Sequence, residues 1–303
     1  MDVYLPIANL SVNGLVIVLL GAATGILSGL FGVGGGFLTT PLLIFYGVPP
    51  TVAAASAASQ VTGASVSGVF AHSQRGGVDP LMGAVLVVGG IIGTGIGAVL
   101  FRLLTSLGQI DVAINILYVI LLGAMGSLMG RESIQSLRQQ SGGRPRPPRR
   151  RHHPIVASLP LRWRFYRSGL YISPLAPLLL GIAVGTLTML MGVGGGFIMV
   201  PAMLYILGMS AQVVVGTSLL QILFVTIMAT MMHALTTEAV DVVLAALLLV
   251  GSVTGAQIGT RIALTAKPEL LRLALAVVVL AMALRLAFGL GVRPDEVYTV
   301  VPL

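Results

Sequence analysis

The sequence predicts an all-α polytopic membrane protein built from two inverted five-helix repeats, and three observations support this fold class. The mean hydropathy is +1.01, and 56% of the 303 residues are hydrophobic while only 9% are charged. Soluble domains carry roughly 25% charged residues, whereas runs of about 20 apolar residues span a bilayer. A glycine-rich motif also occurs twice, at residues 21–41 and 181–201. Duplication of a membrane-spanning unit is typical of secondary transporters.

The apolar runs define ten helical segments, five in each half of the chain. The first membrane repeat covers 12–129, with segments at 12–31, 36–46, 51–72, 81–104 and 109–129. The second covers 171–290, with segments at 172–191, 196–207, 210–234, 239–264 and 268–289. Segments 36–46 and 196–207 are each only about 17 Å long at 1.5 Å per residue, half the thickness of a bilayer. They are therefore half-helices, and the sequence leaves open whether they cross the membrane or re-enter it.

An arginine- and proline-rich linker at 130–170 separates the two repeats. Proline, glycine and repelling like charges predict a mostly disordered segment. Arginine-rich loops lie on the cytoplasmic side of a membrane, so the net charge of +8 indicates membrane orientation rather than a nucleic-acid partner. An odd number of crossings per repeat then makes the repeats inverted, with both termini outside the bacterial inner membrane.

Each glycine motif contains the run GVGGGF, which breaks a helix within an apolar stretch. Broken backbone is tolerated in a membrane only where it is buried in protein or lines a cavity. Consecutive glycines let backbone N–H groups converge on an anion, and the following helix N-terminus adds a positive dipole. The predicted backbone ligands of a substrate are Gly34, Gly35, Gly36, Gly194, Gly195 and Gly196.

Matched polar residues near the two motifs are candidate side-chain ligands for the same substrate. They are Ser28, Ser56 and Gln60 in the first repeat, and Thr188, Thr217, Ser218 and Gln221 in the second. Neutral donors suit a desolvated anion that must be bound and then released. The alternative role is hydrogen bonding between helices.

Four further residues are candidates for a gate or a charge partner: His72, His233, Arg261 and Arg285. A histidine can change its charge near neutral pH, and an arginine in a span is a functional candidate. The alternatives are a histidine that caps a helix C-terminus and an arginine that extends to the membrane surface. Asp79 and Asp241 each precede a helix as plausible N-caps.

The remaining glycines of the duplicated segments are predicted to serve close helix packing, because they recur at four-residue spacing. They are Gly21 and Gly25, Gly89, Gly93 and Gly97, and the matching Gly181, Gly185, Gly251, Gly255 and Gly259.

Other classes of protein fit the sequence less well. The chain has no cysteine, and it carries no GxSG-type serine motif, no HExxH motif and no buried acidic pair. We therefore expect no enzyme activity, no metal site and no cofactor. An anion channel and a non-transporting membrane assembly protein remain the alternative functions.

The doubled pattern GxxxGxxSGxxGxGGGFxxxP resembles the TauE/SafE family, the sulfite exporter or toluene-sulfonate uptake permease family. This resemblance implies transport of sulfur-containing anions such as sulfite, sulfoacetate or other organosulfonates, in either direction. It leaves the lipid bilayer and the anion as the expected partners, and it is compatible with a homodimer. The second copy replaces Ser28-Gly29 with Thr188-Met189 and Thr40 with Val200, which predicts two unequal half-sites.

Overall fold

The computed structural model describes residues 2–31, 35–74, 76–140, 163–263 and 268–291. The described residues are mainly helical, as the sequence predicts. The first half contains α1 (Gly14–Phe31), α2 (Gly36–Phe45), α3 (Pro50–Gln74), α4 (Pro80–Ser106) and α5 (Ile110–Gln140). The second half contains α6 (Leu175–Met191), α7 (Gly196–Tyr205), α8 (Ala211–Met232), α9 (Val242–Ala263) and α10 (Pro268–Gly291). A π-helical turn, His233–Thr237, extends α8. The predicted all-α polytopic class is therefore confirmed.

A small β-hairpin precedes the first helix of each half. Strand β1 (Asp2–Leu5) pairs with β2 (Leu10–Asn13), and β3 (Trp163–Phe165) pairs with β4 (Leu170–Ile172). The turn residues Asn9 and Gly169 both have positive φ, 55° and 64°. The sequence analysis predicted no strands and assigned residues up to 170 to the linker. Strands of three or four residues are too short to leave a recognisable alternating pattern.

Each hairpin is held by an aspartate of the opposite half. Asp241 accepts hydrogen bonds from the backbone of Ile7, at 3.1 Å, and from Leu244 in the first turn of α9. Asp79 accepts from the backbone of Ser168, at 3.0 Å, and from Met82 in the first turn of α4. Both predicted N-caps are therefore confirmed, and each also fastens a hairpin that lies far away in the sequence.

The two halves interdigitate instead of forming separate bundles. Helix α1 packs on α9, α4 on α6, α3 on α8 and α5 on α10. Glycines make these crossings close: a Cβ placed at Gly21 would lie 2.6 Å from the carbonyl oxygen of Leu248, and one at Gly255 would lie 2.1 Å from that of Ala22. The packing role predicted for the spaced glycines is confirmed at these crossings.

The two short helices return to the end of the bundle from which the preceding helix started. The hydroxyl of Tyr46, just after α2, accepts a hydrogen bond from the backbone of Asn13, just before α1. In the second half, Met203 of α7 packs in one cluster with Phe165 and Ile172 of the second hairpin. Both helix pairs, α1–α2 and α6–α7, therefore begin and end at the same end of the bundle, as re-entrant pairs would.

Three helices of each half run from one end of the bundle to the other: α3, α4 and α5, then α8, α9 and α10. Five of these are long and apolar enough to span a bilayer, and α3 is long but richer in small polar residues. Three end-to-end helices in each half favour three crossings per half over the predicted five. Three is also an odd number, so the inverted arrangement stays the prediction.

We call the end that carries the first hairpin the N-terminal end, and the end where α5 finishes the linker end. Helices α3 and α8 run in opposite directions between these ends. The hydroxyl of Ser59 lies 3.4 Å from that of Thr230, and Thr62 donates to Thr226 at 2.8 Å. The start of α3 therefore faces the end of α8.

Replacing Gly93 with leucine is expected to lower the stability of the folded protein, whereas replacing Gly95 on the same helix is not. A Cβ at Gly93 would lie 2.1 Å from the carbonyl oxygen of Ile182, while a Cβ at Gly95 meets nothing within 4 Å. Overpacking costs about 1–3 kcal/mol, and backbone atoms yield less than side chains. Thermal unfolding in detergent measures the difference, and equal midpoints for the two variants would contradict the close packing of α4 on α6.

Candidate functional site

The two helix breaks meet in the interior of the bundle. Phe37 and Phe197, in the first turns of α2 and α7, are both buried and stack with ring centroids 4.2 Å apart. A Cβ placed at Gly36 would lie 2.9 Å from the carbonyl oxygen of Val193. The glycine runs, 160 residues apart in the sequence, therefore form a single region. We call this region the break contact.

The glycines of the break contact are needed for backbone conformation and for space. Gly35, Gly194 and Gly195 have φ of 61°, 72° and 77°, a left-handed region in which a Cβ is strained. Gly192 also has positive φ, and a Cβ there would lie 2.0 Å from the carbonyl oxygen of Ala54. Gly34, a predicted ligand, lies outside the described residues.

The positive ends of two helix dipoles point toward this region. Helix α2 begins at Gly36 and α7 begins at Gly196, so both start where the sequence analysis placed them. Neither helix has a side-chain cap at its N-terminus. The first turn of a helix has backbone N–H groups without partners inside that helix. Two such ends therefore supply a favourable environment for an anion.

Gln60 and Gln221 lie one residue away from the side chains that line the break contact. Val61 and Ile222 would lie 2.5 Å and 3.2 Å from a Cβ at Gly194. The two glutamines are 1% and 0% exposed. The carboxamide oxygen of Gln60 and both carboxamide atoms of Gln221 have no hydrogen-bond partner. A buried polar group without a partner costs about 1–3 kcal/mol, so these side chains call for a ligand or a water.

The predicted hydroxyl ligands divide into two groups. Ser28 and Thr188 lie beside the breaks: Thr188 Oγ1 would be 3.2 Å from a Cβ at Gly195, and Ser28 Oγ 3.5 Å from one at Gly35. Ser56 instead accepts a hydrogen bond from the backbone of Asp241, at 3.2 Å.

Thr217 is engaged in the same way as Ser56, because it accepts from the backbone of Asp79 at 2.9 Å. Ser218 donates to the carbonyl of Val215 in its own helix, at 2.9 Å. Ser56 and Thr217 hold the loops before α9 and α4, and Ser218 forms a bond within its own helix. These bonds favour a structural role for all three hydroxyls over a role as ligands.

His233 is buried and supports a break rather than standing at a membrane surface. Its Nε2 lies 2.9 Å from the carbonyl oxygen of Met189, and its Nδ1 lies 3.1 Å from the hydroxyl of Thr237. Met189 is in the last turn of α6, where the break removes the usual backbone partners of the carbonyl groups. His233 therefore satisfies a carbonyl that the broken helix leaves exposed.

The other three gate or charge candidates lie away from the break contact. His72 is partly buried near the end of α3. Arg261 and Arg285 are exposed, and the guanidinium of Arg285 lies 5.7 Å from the ring centroid of Phe45. Both arginine side chains are exposed, whereas the glycines of the break contact are buried.

Two residues that the sequence analysis did not select also support the second break. The hydroxyl of Tyr118, buried in α5, donates to the carbonyl of Met191 at 2.6 Å, and Thr40 donates to the same oxygen at 3.3 Å. Tyr118 could have been selected from the sequence because it is a tyrosine in the middle of an apolar helix. Thr40 could have been selected because the matching position of the second repeat is Val200, a difference that predicts unequal half-sites.

A single family model matches the part of the chain that contains the two broken helix pairs and the helices that pack across them. The sequence profile described as sulfite exporter TauE/SafE matches residues 17–286. The chain belongs to this family. A relative from Xylella fastidiosa, named a probable membrane transporter protein, is 30% identical over 268 residues, which cover 87% of this chain and 91% of that protein.

A second relative, the probable membrane transporter protein YjnA of Bacillus subtilis, is 27% identical over 273 residues, or 89% of this chain and 98% of that protein. No solved structure matches the chain. The family and the long apolar helices together identify an integral membrane protein that acts as a transporter and not as an enzyme.

Proposed function

We propose that this TauE/SafE transporter moves sulfite or small organosulfonates, such as sulfoacetate, through the break contact by alternating access. The observation that carries the proposal is a pair of buried glutamines, each next in the chain to a residue that lines the break contact. Gln60 and Gln221 hold carboxamide atoms without partners inside a membrane protein. Polar groups at such depth are costly, and they mark substrate pathways.

The chemistry of the break contact suits a singly or doubly charged oxyanion. The carboxamide of Gln221 offers two N–H donors without partners, whereas the unpaired atom of Gln60 is its oxygen, which accepts. The starts of α2 and α7 add backbone donors and positive dipole ends. A sulfonate or sulfite group presents three oxygens that accept such bonds. Since these donors are neutral, the anion is bound without being trapped. Ser28 and Thr188 are the proposed additional hydroxyl ligands, one beside each break; Thr188 donates to the carbonyl of Val184 at 2.8 Å in this state and would have to release it to bind the anion.

The burial of the break contact favours a transporter over a channel. Gly35, Gly36 and Gly194 to Gly196 are all buried, so the site is closed toward both ends in this state. Alternating access requires such a closed state. Opening toward one end would expose the stacked rings of Phe37 and Phe197 to that end only. A channel would need a continuous path past the same rings.

We propose that the linker end faces the cytoplasm and that both termini lie outside the inner membrane. Arg131, Arg164, Arg167 and Arg261 lie at the linker end, on α5, the second hairpin and the last turn of α9. Arg102 and Arg285 lie toward the N-terminal end. An excess of basic residues is typical of the cytoplasmic side.

Flux measurements in proteoliposomes test the proposed function. We expect saturable uptake of at least one anion among sulfite, sulfoacetate, taurine and thiosulfate, with chloride as the control anion. Preloading the vesicles with the same anion should accelerate uptake, since exchange is a property of carriers and not of channels. Imposed proton and potential gradients identify the driving force. Absence of flux for all four anions would reject the substrate class.

A further inference from the structure

A cavity of about 410 Å³ opens at the N-terminal end of the bundle. Its wall carries one cation, Arg102, and the hydroxyl side chains of Thr51, Thr105, Ser106, Thr236 and Thr237. These residues come from the start of α3, the end of α4 and the π-helical turn after α8. We call this cavity the vestibule.

A single layer of side chains separates the vestibule from the second break. Phe101 lines the vestibule and is 1% exposed. Its ring meets the imidazole of His233 edge to face, with centroids 5.0 Å apart. On its other side, His233 lies 2.9 Å from the carbonyl oxygen of Met189, at the broken end of α6. Phe101 also belongs to the same buried cluster as the stacked Phe37 and Phe197.

The wall of the vestibule and this inner layer share one structural element. Thr236 and Thr237 lie on the π-helical turn that begins at His233, and the hydroxyl of Thr237 lies 3.1 Å from His233 Nδ1. Single π-helical turns are rare, and they occur frequently at functional sites. Any movement of this turn therefore changes the vestibule and the support of the second break together.

The lining of the vestibule suits passage better than tight binding. Thr105, Ser106 and Thr236 donate their hydroxyl protons to carbonyl groups of their own helices, so they present lone pairs that hold water. Arg102 supplies the attraction for an anion. Two carboxylates lie nearby: Asp111 accepts a hydrogen bond from the backbone of Thr51, and Glu238 is exposed beside Thr237. These acids offset the arginine and keep an anion from being retained.

We propose that the vestibule is the path by which the transported oxyanion reaches the break contact from the N-terminal end, and that Phe101 and His233 close its inner end. This inference rests on the proposed function, because it assigns an access path to the same site. In the closed state His233 holds the Met189 carbonyl. In the open state the imidazole and the Phe101 ring move apart, and the anion passes between them.

Single-cysteine modification tests the path, since the chain has no cysteine of its own. We expect a sulfonatoethyl methanethiosulfonate reagent to lower flux at least fivefold in Thr236→Cys, and excess transported anion to slow the labelling. Thr105→Cys is the second position. Leu107→Cys, exposed in the loop after α4 and outside the cavity lining, is the control that should be labelled and keep its flux.

Mass spectrometry confirms that each cysteine is labelled before flux is measured. Full flux in labelled Thr236→Cys and labelled Thr105→Cys would overturn the vestibule while leaving the proposed function intact. Absence of flux in the unmodified parent protein would instead count against the proposed function itself.

The inner layer has its own test. The side chain of Met189 is buried, and its backbone carbonyl oxygen lies 2.9 Å from His233 Nε2, so labelling of Met189→Cys from the N-terminal side should be slow. Adding Phe101→Ala should accelerate this labelling at least tenfold. Adding Phe165→Ala, which removes a buried ring in the second hairpin, should leave the rate unchanged. Equal rates with and without Phe101→Ala would show that Phe101 does not close the path.

Discussion

Replacing Gln60 or Gln221 with leucine is expected to reduce anion transport about 10- to 100-fold while leaving thermal stability unchanged or higher. A hydrogen bond to a charged group contributes about 1.5–3 kcal/mol, and 1.4 kcal/mol corresponds to a factor of ten. Leucine removes the donors that the anion needs. It also removes a buried polar group that has no partner in the folded chain, and with it the desolvation cost of about 1–3 kcal/mol.

The combination of lost transport and retained stability separates a ligand from a structural residue. A glutamine that holds two helices together would lower the unfolding temperature when it is replaced. Gln109→Leu, in the exposed loop between α4 and α5, is the control and should change neither quantity. A lower unfolding temperature with unchanged transport in the Gln60 and Gln221 variants would remove both residues from the site.

Replacing Gly195 with alanine is expected to abolish transport. Its φ of 77° costs an L-residue about 1–2 kcal/mol, and the new Cβ would lie 2.2 Å from Val184 and 3.2 Å from the hydroxyl of Thr188. The break must therefore move, and the start of α7 moves with it. Flux in proteoliposomes and elution from a sizing column measure function and folding separately.

Gly108→Ala is a matched control for this substitution. Gly108 has nearly the same φ, 68°, but a Cβ there meets nothing within 4 Å. Both variants should lose a similar amount of stability from backbone strain, and only Gly195→Ala should lose transport. Transport at the parent rate in Gly195→Ala would exclude a role of the second break in substrate binding.

The sequence predicted the helices and the breaks because both leave local signals. Apolar runs of bilayer length and the repeated GVGGGF marked all ten helices, and the spaced glycines marked the close crossings. Gln60 and Gln221 could be selected because each follows a break in matching positions of the two halves. The aspartate caps were visible because Asp79 and Asp241 directly precede helices.

Other features depend on contacts between residues that are distant in the sequence. The re-entrant paths of α2 and α7 were left open because a helix of ten residues fits either a crossing or a return. His233 was predicted as a gate residue or a helix cap, and its support of the second break was missed because its partner, the Met189 carbonyl, lies 44 residues away on another helix. The hairpins and the π-helical turn are too short to leave a periodic pattern. Ser56 and Thr217 occupy matching positions of the two repeats, as ligands would. In the structure, both instead accept hydrogen bonds from the loops before α9 and α4.

The structure also locates the asymmetry that the sequence predicted between the two half-sites. The carbonyl of Met191 is held by Thr40 and Tyr118, whereas the position that matches Thr40 is Val200. The two repeats therefore share a backbone plan but differ in the side chains around their breaks. An elongated anion with unlike ends, such as a sulfonate with a carboxylate, would distinguish two such unequal halves.

The central claim is that both halves contribute to one anion site. Equilibrium binding of radiolabelled sulfite or sulfoacetate to the purified protein tests this claim most directly. The account predicts one anion bound per chain, and comparable loss of binding in Gln60→Leu and in Gln221→Leu. Two anions per chain, or full binding that survives either single substitution, would contradict a site shared between the two breaks.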